Sequence, residues 1–456
     1  MQPFEKIREY AKAVCSQIKW KKAHPAVAEE IENHLIDQRN AYMAEGVEEA
    51  SATDQAIVQM GNPVIVGAQL NRTYRPKPPW VMLGLMLALV CIGVFIQLFL
   101  EFRVTHHYDI WSFKPLFTAL VGLTVMTAFY LMDFLWIGKC PKLIYLTVMV
   151  LFFGFFMREM EIAGGNIFYS AYKPLLLPLG FAGIVYSARS KGYRGLILCE
   201  VALLLPAVML LLIRHRWDFV FFAVSALVII CTAISIGWFK VNIRKGYLLV
   251  LIPVVIGIVL ATLYIFQYGY RWEKLKAAFN PSLDPLGEGY LGVQVKTLLA
   301  NSKLLGQGTT PAAALDLNPL RGYHVSFILT YLIFDFGWIP VLMLLGAVAF
   351  FIAKGFILCF KQKSGLALFV SLSIMLTFTI PVIGYVLLNM GIMLYSPISL
   401  FIINCDTSYL ANSALIGIML GVFKTGHVLN DRMEPASGNR LMRWSGGKPA
   451  IYLGKK

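Results

Sequence analysis

His324, Ser326 and Asp335 fall within one short stretch at the mouth of an apolar run, and Asp406 lies in a second polar stretch further on. An imidazole that titrates near neutral pH, or a carboxylate, can take a proton from an attacking hydroxyl. A serine hydroxyl cannot act as such a base near neutral pH. Ser326 and His324 are two residues apart, so they project from different faces of any helix. Asp335 is nine residues beyond Ser326, about 13 Å further along if the run is one helix. At that depth it reads as a polar contact buried in a bundle, although acids inside membranes are functional candidates by default.

A long polar loop, residues 269–323, precedes these groups. Loops of that length are uncommon and usually functional. It opens on Tyr270-Arg271-Trp272-Glu273-Lys274, which reads as an interfacial helix anchored by Trp272, with Arg271 and Lys274 as cations that could face a lipid phosphate. Tyr290 follows in an Asn-Pro…Asp-Pro…Gly-Glu-Gly segment. Gly306 and Gly308 then offer either backbone N–H groups to an anion or a simple turn.

These residues need a scaffold, and the composition says which kind. The 456 residues are 58% hydrophobic and 14% charged, with a mean hydropathy of +0.67. Soluble domains carry about a quarter charged residues, so the expected fold class is all-α, a polytopic membrane helix bundle with a small cytoplasmic helical domain. The net charge of +15 sits largely in short loops between apolar runs, a topology signal rather than a nucleic-acid footprint. The start lacks an apolar h-region, so no cleaved signal peptide is expected. Seven cysteines are scattered without a CxxC, which argues against a disulfide framework or a zinc site.

Ten apolar runs are long enough, or nearly so, to cross about 30 Å of hydrocarbon. They lie near 80–102, 114–135, 142–157, 172–188, 194–213, 217–237, 246–268, 324–353, 365–390 and 397–423. Ahead of them, residues 1–75 read as three short helices of a cytoplasmic prefix domain, broken at Gly46 and at Gly61-Asn62-Pro63. A basic tail, 426–456, follows the bundle, residues 80–425. With both termini cytoplasmic, the inner loops carry Lys139 and Lys142; Arg189, Lys191 and Arg194; Lys240, Arg244 and Lys245; and Lys354, Lys361 and Lys363. The positive-inside rule thus places loop 269–323 on the outer face.

The loop and the run after it resemble the SEDS family, the FtsW/RodA/SpoVE group of cell-wall, division and sporulation proteins. The resemblance is carried by Asn280-Pro281, Asp284-Pro285, Gly287, Gly289-Tyr290, Gly306-Gln-Gly308, His324-Val-Ser-Phe-Ile-Leu and Phe334-Asp335-Phe336-Gly337. It implies ten spans with a large outer loop between the seventh and eighth. It also implies a polyprenyl-linked peptidoglycan precursor (lipid II) as ligand, a single-span penicillin-binding protein as partner and glycosyltransferase chemistry in a bacterial plasma membrane.

At the position of the family's essential Asp this chain has Ser326. Departures recur at Lys173-Pro174-Leu175-Leu176, where the family writes Gln-Pro-Ser-Glu, and at Cys405-Asp406, where it has a glycine pair. His324 and Asp406 are the remaining candidates for a base. The departures favour a non-catalytic scaffold or regulator over an active polymerase. The chain carries no cofactor signature, and whether a divalent metal bridges the pyrophosphate stays open. Residues 25–75 also resemble the helical prefix domain of Gram-positive permeases, through His24-Pro25, Glu29-Glu30-Ile31, His34-Leu35 and Gly61-Asn62-Pro63. A transporter or lipid flippase is the alternative function, although no coupling-ion site stands out.

Overall fold

A computed structural model describes residues 3–105, 114–132, 134–162, 174–213, 216–309, 326–392, 407–426, 442–445 and 448–451. The described chain is almost entirely helical and forms two compact units.

The first unit holds α1 (Pro3–Ser16), a 3₁₀ turn, α2 (His24–Ala44), α3 (Glu49–Met60) and α4 (Pro63–Tyr74). Four α-helices therefore stand where the apolar spacing predicts three. The fourth follows from local chemistry: Pro63 suits the first helical position, and the Asn62 side chain accepts the Val64 N–H at 2.8 Å. Ile7, Tyr10, Ala11, Val14 and Ile18 meet Val27, Ile31, Leu35 and Ala56 in a core of this unit's own. His24 Nε2 donates to the Ile18 carbonyl at 2.8 Å, and His34 is exposed. The unit also takes in Gln362–Ser364 and Phe423–Arg432, and within it the Lys77 N–H donates to the Lys424 carbonyl at 3.2 Å.

The second unit is the membrane bundle. Its spans are α5 (Trp80–Thr105), α6 (Lys114–Leu131), α8 (Pro141–Ile162), α9 (Leu177–Ser187), α10 (Gly192–Leu212), α11 (Arg216–Ser235), α12 (Ile243–Phe266), α16 (Trp338–Phe360), α17 (Gly365–Asn389) and α18 (Thr407–Thr425); a short α7 (Leu135–Lys139) precedes α8. Seven of these helices are long and apolar enough to cross a membrane, and shorter apolar segments lie at Pro141–Gly154, Leu177–Ser187 and Tyr409–Thr425. Ten apolar helices thus stand close to the ten expected runs. Residues 163–173 and 393–406, at the edges of the fourth and tenth expected runs, lie outside the described residues.

α17 is the buried centre of the bundle, packed by α9, α11 and α16. Phe181, Phe222, Phe369 and Phe378 fill the space around it. Its serine and threonine hydroxyls are satisfied inside the helix: Ser371 donates to the Ala367 carbonyl and Thr377 to the Ser373 carbonyl, as a bilayer interior requires. α12 is the opposite case. Gly246 and Val250 in its first turns are buried, and nearly every residue from Leu251 to Phe266 is exposed.

The tail contributes a two-stranded antiparallel pair, β1 (Met442–Ser445) and β2 (Lys448–Ile451), with Met442 opposite Ile451. Among the described residues it is the single departure from an all-α chain.

The eighth expected span needs correction. The run 324–353 is not one helix. It is α15 (Ile328–Phe336), a break at Gly337 and then α16. Gly337 has φ 93° and ψ 175°, a conformation that side chains exclude.

Candidate functional site

The described part of the loop after α12, residues 267–309, is a small folded layer. α13 (Gly269–Phe279) continues from α12, and a tight turn leads to α14 (Tyr290–Ala300), which packs on α15. Val295 and Leu298 from α14 bury against Phe327, Phe334 and Leu388. Burial of these five side chains supplies the local hydrophobic anchor, each worth about 1.5–3 kcal/mol when fully buried.

The turn explains the Asp-Pro-Leu-Gly-Glu-Gly segment. The two Asp284 carboxylate oxygens accept the N–H groups of Gly287, at 3.1 Å, and Glu288, at 3.0 Å. A side chain on Gly289 would collide with the Pro281 carbonyl. Asp284 is therefore occupied as a turn-former. Asp284→Ala should loosen the turn at a cost of about 1–2 kcal/mol. Faster amide exchange at Gly287 and Glu288, with α15 exchange unchanged, is the expected readout.

The two candidate cations are also engaged. Arg271 Nη1 donates to the Tyr264 carbonyl in the last turn of α12 at 2.8 Å. Its guanidinium stacks on Tyr264 and Tyr268, at 3.6 and 4.2 Å from the ring centroids. It thus caps a helix C-terminus, where a cation is favoured. Lys274 Nζ pairs with Glu288 at 2.6 Å. Both partners are exposed, so the pair is worth about 1 kcal/mol or less. Trp272 lies against Phe266, in keeping with an interfacial anchor. Tyr290 is half-buried at the first position of α14.

The amides of Gly306 and Gly308, offered to an anion on sequence grounds, are spent within the protein. Gly306 N–H donates to the Phe336 carbonyl at 3.0 Å and Gly308 N–H to the Phe334 carbonyl at 2.7 Å. In return, Trp338 and Ile339 N–H donate to the carbonyls of Lys303 and Leu304, each at 3.1 Å. A Cβ on Gly308 would lie 2.6 Å from the Asn301 carbonyl. The glycines build a backbone joint that fastens the loop to the α15–α16 break. The physical reason is that the end of α15 leaves carbonyls without helical donors, and the loop supplies them.

Ser326 sits at the other end of α15, just before it begins, with 4% of its surface exposed. Asn389, at the end of α17 and fully buried, holds this end. Its Oδ1 accepts the Thr330 N–H and hydroxyl, both at 3.0 Å. Its Nδ2 donates to the Ser326 carbonyl at 3.0 Å and to the Tyr385 carbonyl at 2.9 Å. Asn389 is thus a helix cap delivered from another helix. Nothing in the sequence spacing marks it, because its partners lie 59 and 63 residues earlier. Asp335 is half-buried one residue before the end of α15 and keeps an interaction of its own. α15 runs unbroken from Ile328 to Phe336, so the break at Gly337 falls beyond Asp335. His324 and Asp406 lie outside the described residues, as does Asp316.

Among the described residues, ten apolar helices, a folded first part of the loop between the seventh and eighth, and the glycine joint are the frame the sequence motifs describe. Residues 79–426 match the family model described as "Cell cycle protein", that of FtsW, RodA and SpoVE. The chain belongs to the FtsW/RodA/SpoVE family. It is a multi-pass membrane protein. It is also similar to a solved chain described under "Structural coordination of polymerization and crosslinking by a peptidoglycan synthase complex", at 16% identity and a TM-score of 0.57, over 76% of this chain and 98% of that one. At that identity the likeness is one of fold. A comparison with curated proteins returned no match.

Proposed function

We propose that this member of the FtsW/RodA/SpoVE family serves peptidoglycan synthesis by binding a polyprenyl-linked precursor at its outer face, without itself performing the glycosyl transfer. One observation carries the second half of that reading. The position that holds a carboxylate in the family motif is Ser326, buried before α15 with its carbonyl clamped by Asn389. A buried hydroxyl in that place offers no base to an attacking sugar hydroxyl.

The first half draws support from family membership and from α12, whose exposed apolar length suits a polyprenyl chain. The described basic residues of the short loops favour cytoplasmic termini and an outer loop. The structural relative's description, a synthase complex, supports a single-span penicillin-binding protein as partner.

Binding is tested directly with purified protein in nanodiscs and lipid II carrying a fluorescent label. Saturable binding, competed by unlabelled lipid II and not by a polyprenyl phosphate lacking the sugars, is the expected result. Absence of saturable binding would remove the precursor from the account.

A further inference from the structure

A different surface, in the first unit, is left unexplained by that reading. The inward face of α4 is settled by Gly67, where an added Cβ would lie 2.7 Å from the Val14 carbonyl and 2.6 Å from Gln17 Cβ. Val66, Leu70 and Tyr74 pack against the unit's core from the same side. The opposite stripe runs Ile65, Ala68, Arg72 and, just past the helix, Arg75, at spacings that share one face. All four are exposed. Val64 and Ile65 are 53% and 59% accessible. The face is therefore apolar at one end and basic at the other.

The chain dictates what lies close to it. Only residues 75–79 separate α4 from Trp80, where the first span begins. Fully extended, that connection spans at most about 20 Å. The unit also includes Gln362–Ser364, which joins the spans α16 and α17, and the last residues of α18. Within it, Lys77 is tied through its amide to the Lys424 carbonyl at the end of α18. The residues that join two spans, and the end of a third, thus belong to the same compact body as α4. Arg72, Arg75, Lys77 and Lys363 are exposed cations there. Apolar side chains beside cations at a bilayer boundary are the makings of an interfacial helix.

We propose that the outward face of α4 rests on an anionic lipid leaflet, with Val64, Ile65 and Ala68 at the acyl boundary and Arg72 and Arg75 on the headgroups. The occupant is the membrane itself, because the tether, the charge and the shared body all lead there.

The test uses the full-length chain reconstituted in vesicles, with Ile65→p-benzoylphenylalanine as a photocrosslinker. The same probe at the exposed Asn40 on α2 sets the background. Vesicles of phosphatidylcholine with phosphatidylglycerol should give a lipid adduct at position 65 well above that background. Arg72→Glu with Arg75→Glu should lower the adduct by at least about tenfold, since each cation near an anionic surface contributes measurably. In phosphatidylcholine alone the charge reversal should have little effect. The proposal fails if the adduct at 65 matches the Asn40 background, if it joins a second protein copy instead of lipid, or if charge reversal leaves the lipid yield unchanged.

Discussion

Asn389→Leu should destabilise the outer layer by about 2–6 kcal/mol, the largest effect expected from a single side chain here. The substitution keeps volume and removes three hydrogen bonds to Ser326 and Thr330, two of which leave a backbone group of this segment without a replacement. The Thr330 N–H and the Ser326 carbonyl are left buried without their partner. Orphaning a buried polar group costs about 1–3 kcal/mol. The Thr330 hydroxyl fares better, because it also donates to the backbone carbonyl of residue 389, at 3.2 Å. Asn389→Asp keeps the acceptor for Thr330 but sets a buried carboxylate against the Ser326 and Tyr385 carbonyls. Its cost should be of the same order, since desolvation of the charge joins the lost donor. Hydrogen exchange across 326–336 measures both, with exchange faster than the parent's in each variant. Unchanged exchange in that variant would show that the clamp is not what holds α15.

Gly337→Ala is the second. The glycine sits at φ 93° and ψ 175°, a region that costs a residue with a side chain about 1–3 kcal/mol. An added Cβ would also lie 2.6 Å from the Leu304 carbonyl and 2.7 Å from the Leu305 Cα. These are backbone atoms fixed by the glycine joint, so they cannot rotate away, and such overpacking costs a further 1–3 kcal/mol or so. The joint should open, with the four hydrogen bonds between 303–308 and 334–339 exchanging together. Gly346→Ala on α16, where an added Cβ meets nothing within 4 Å, is the matched control. It should fold and melt like the parent. Equal behaviour of the two variants would contradict the break at Gly337.

The bundle is legible in the sequence because its signal is local. A run of apolar residues long enough to span hydrocarbon declares itself without knowledge of its neighbours, and Gly61-Asn62-Pro63 marks the end of α3, though not the helix that follows it. The outer layer is harder to read because its logic is long-range. Residues 324–353 look like one helix, since a glycine inside an apolar run is tolerated in many helices. What makes Gly337 a break is the approach of Leu304, more than thirty residues earlier. Gly306 and Gly308 were visible as free amides, and only the fold shows that Phe334 and Phe336 claim them. Asn389 lies 63 residues from Ser326, and no spacing rule joins the two. Ser326 itself was found by motif, and its burial is new.

The central claim is that the loop keeps the frame of a polymerase and lacks its base. The most direct measurement incubates the purified protein, with a cognate penicillin-binding partner, with lipid II and sizes the products on a gel. The account predicts no glycan polymer from the native chain, with lipid II binding retained. Polymer from the native chain that disappears in Ser326→Ala, His324→Ala or Asp406→Asn would contradict it and identify the group that serves as base.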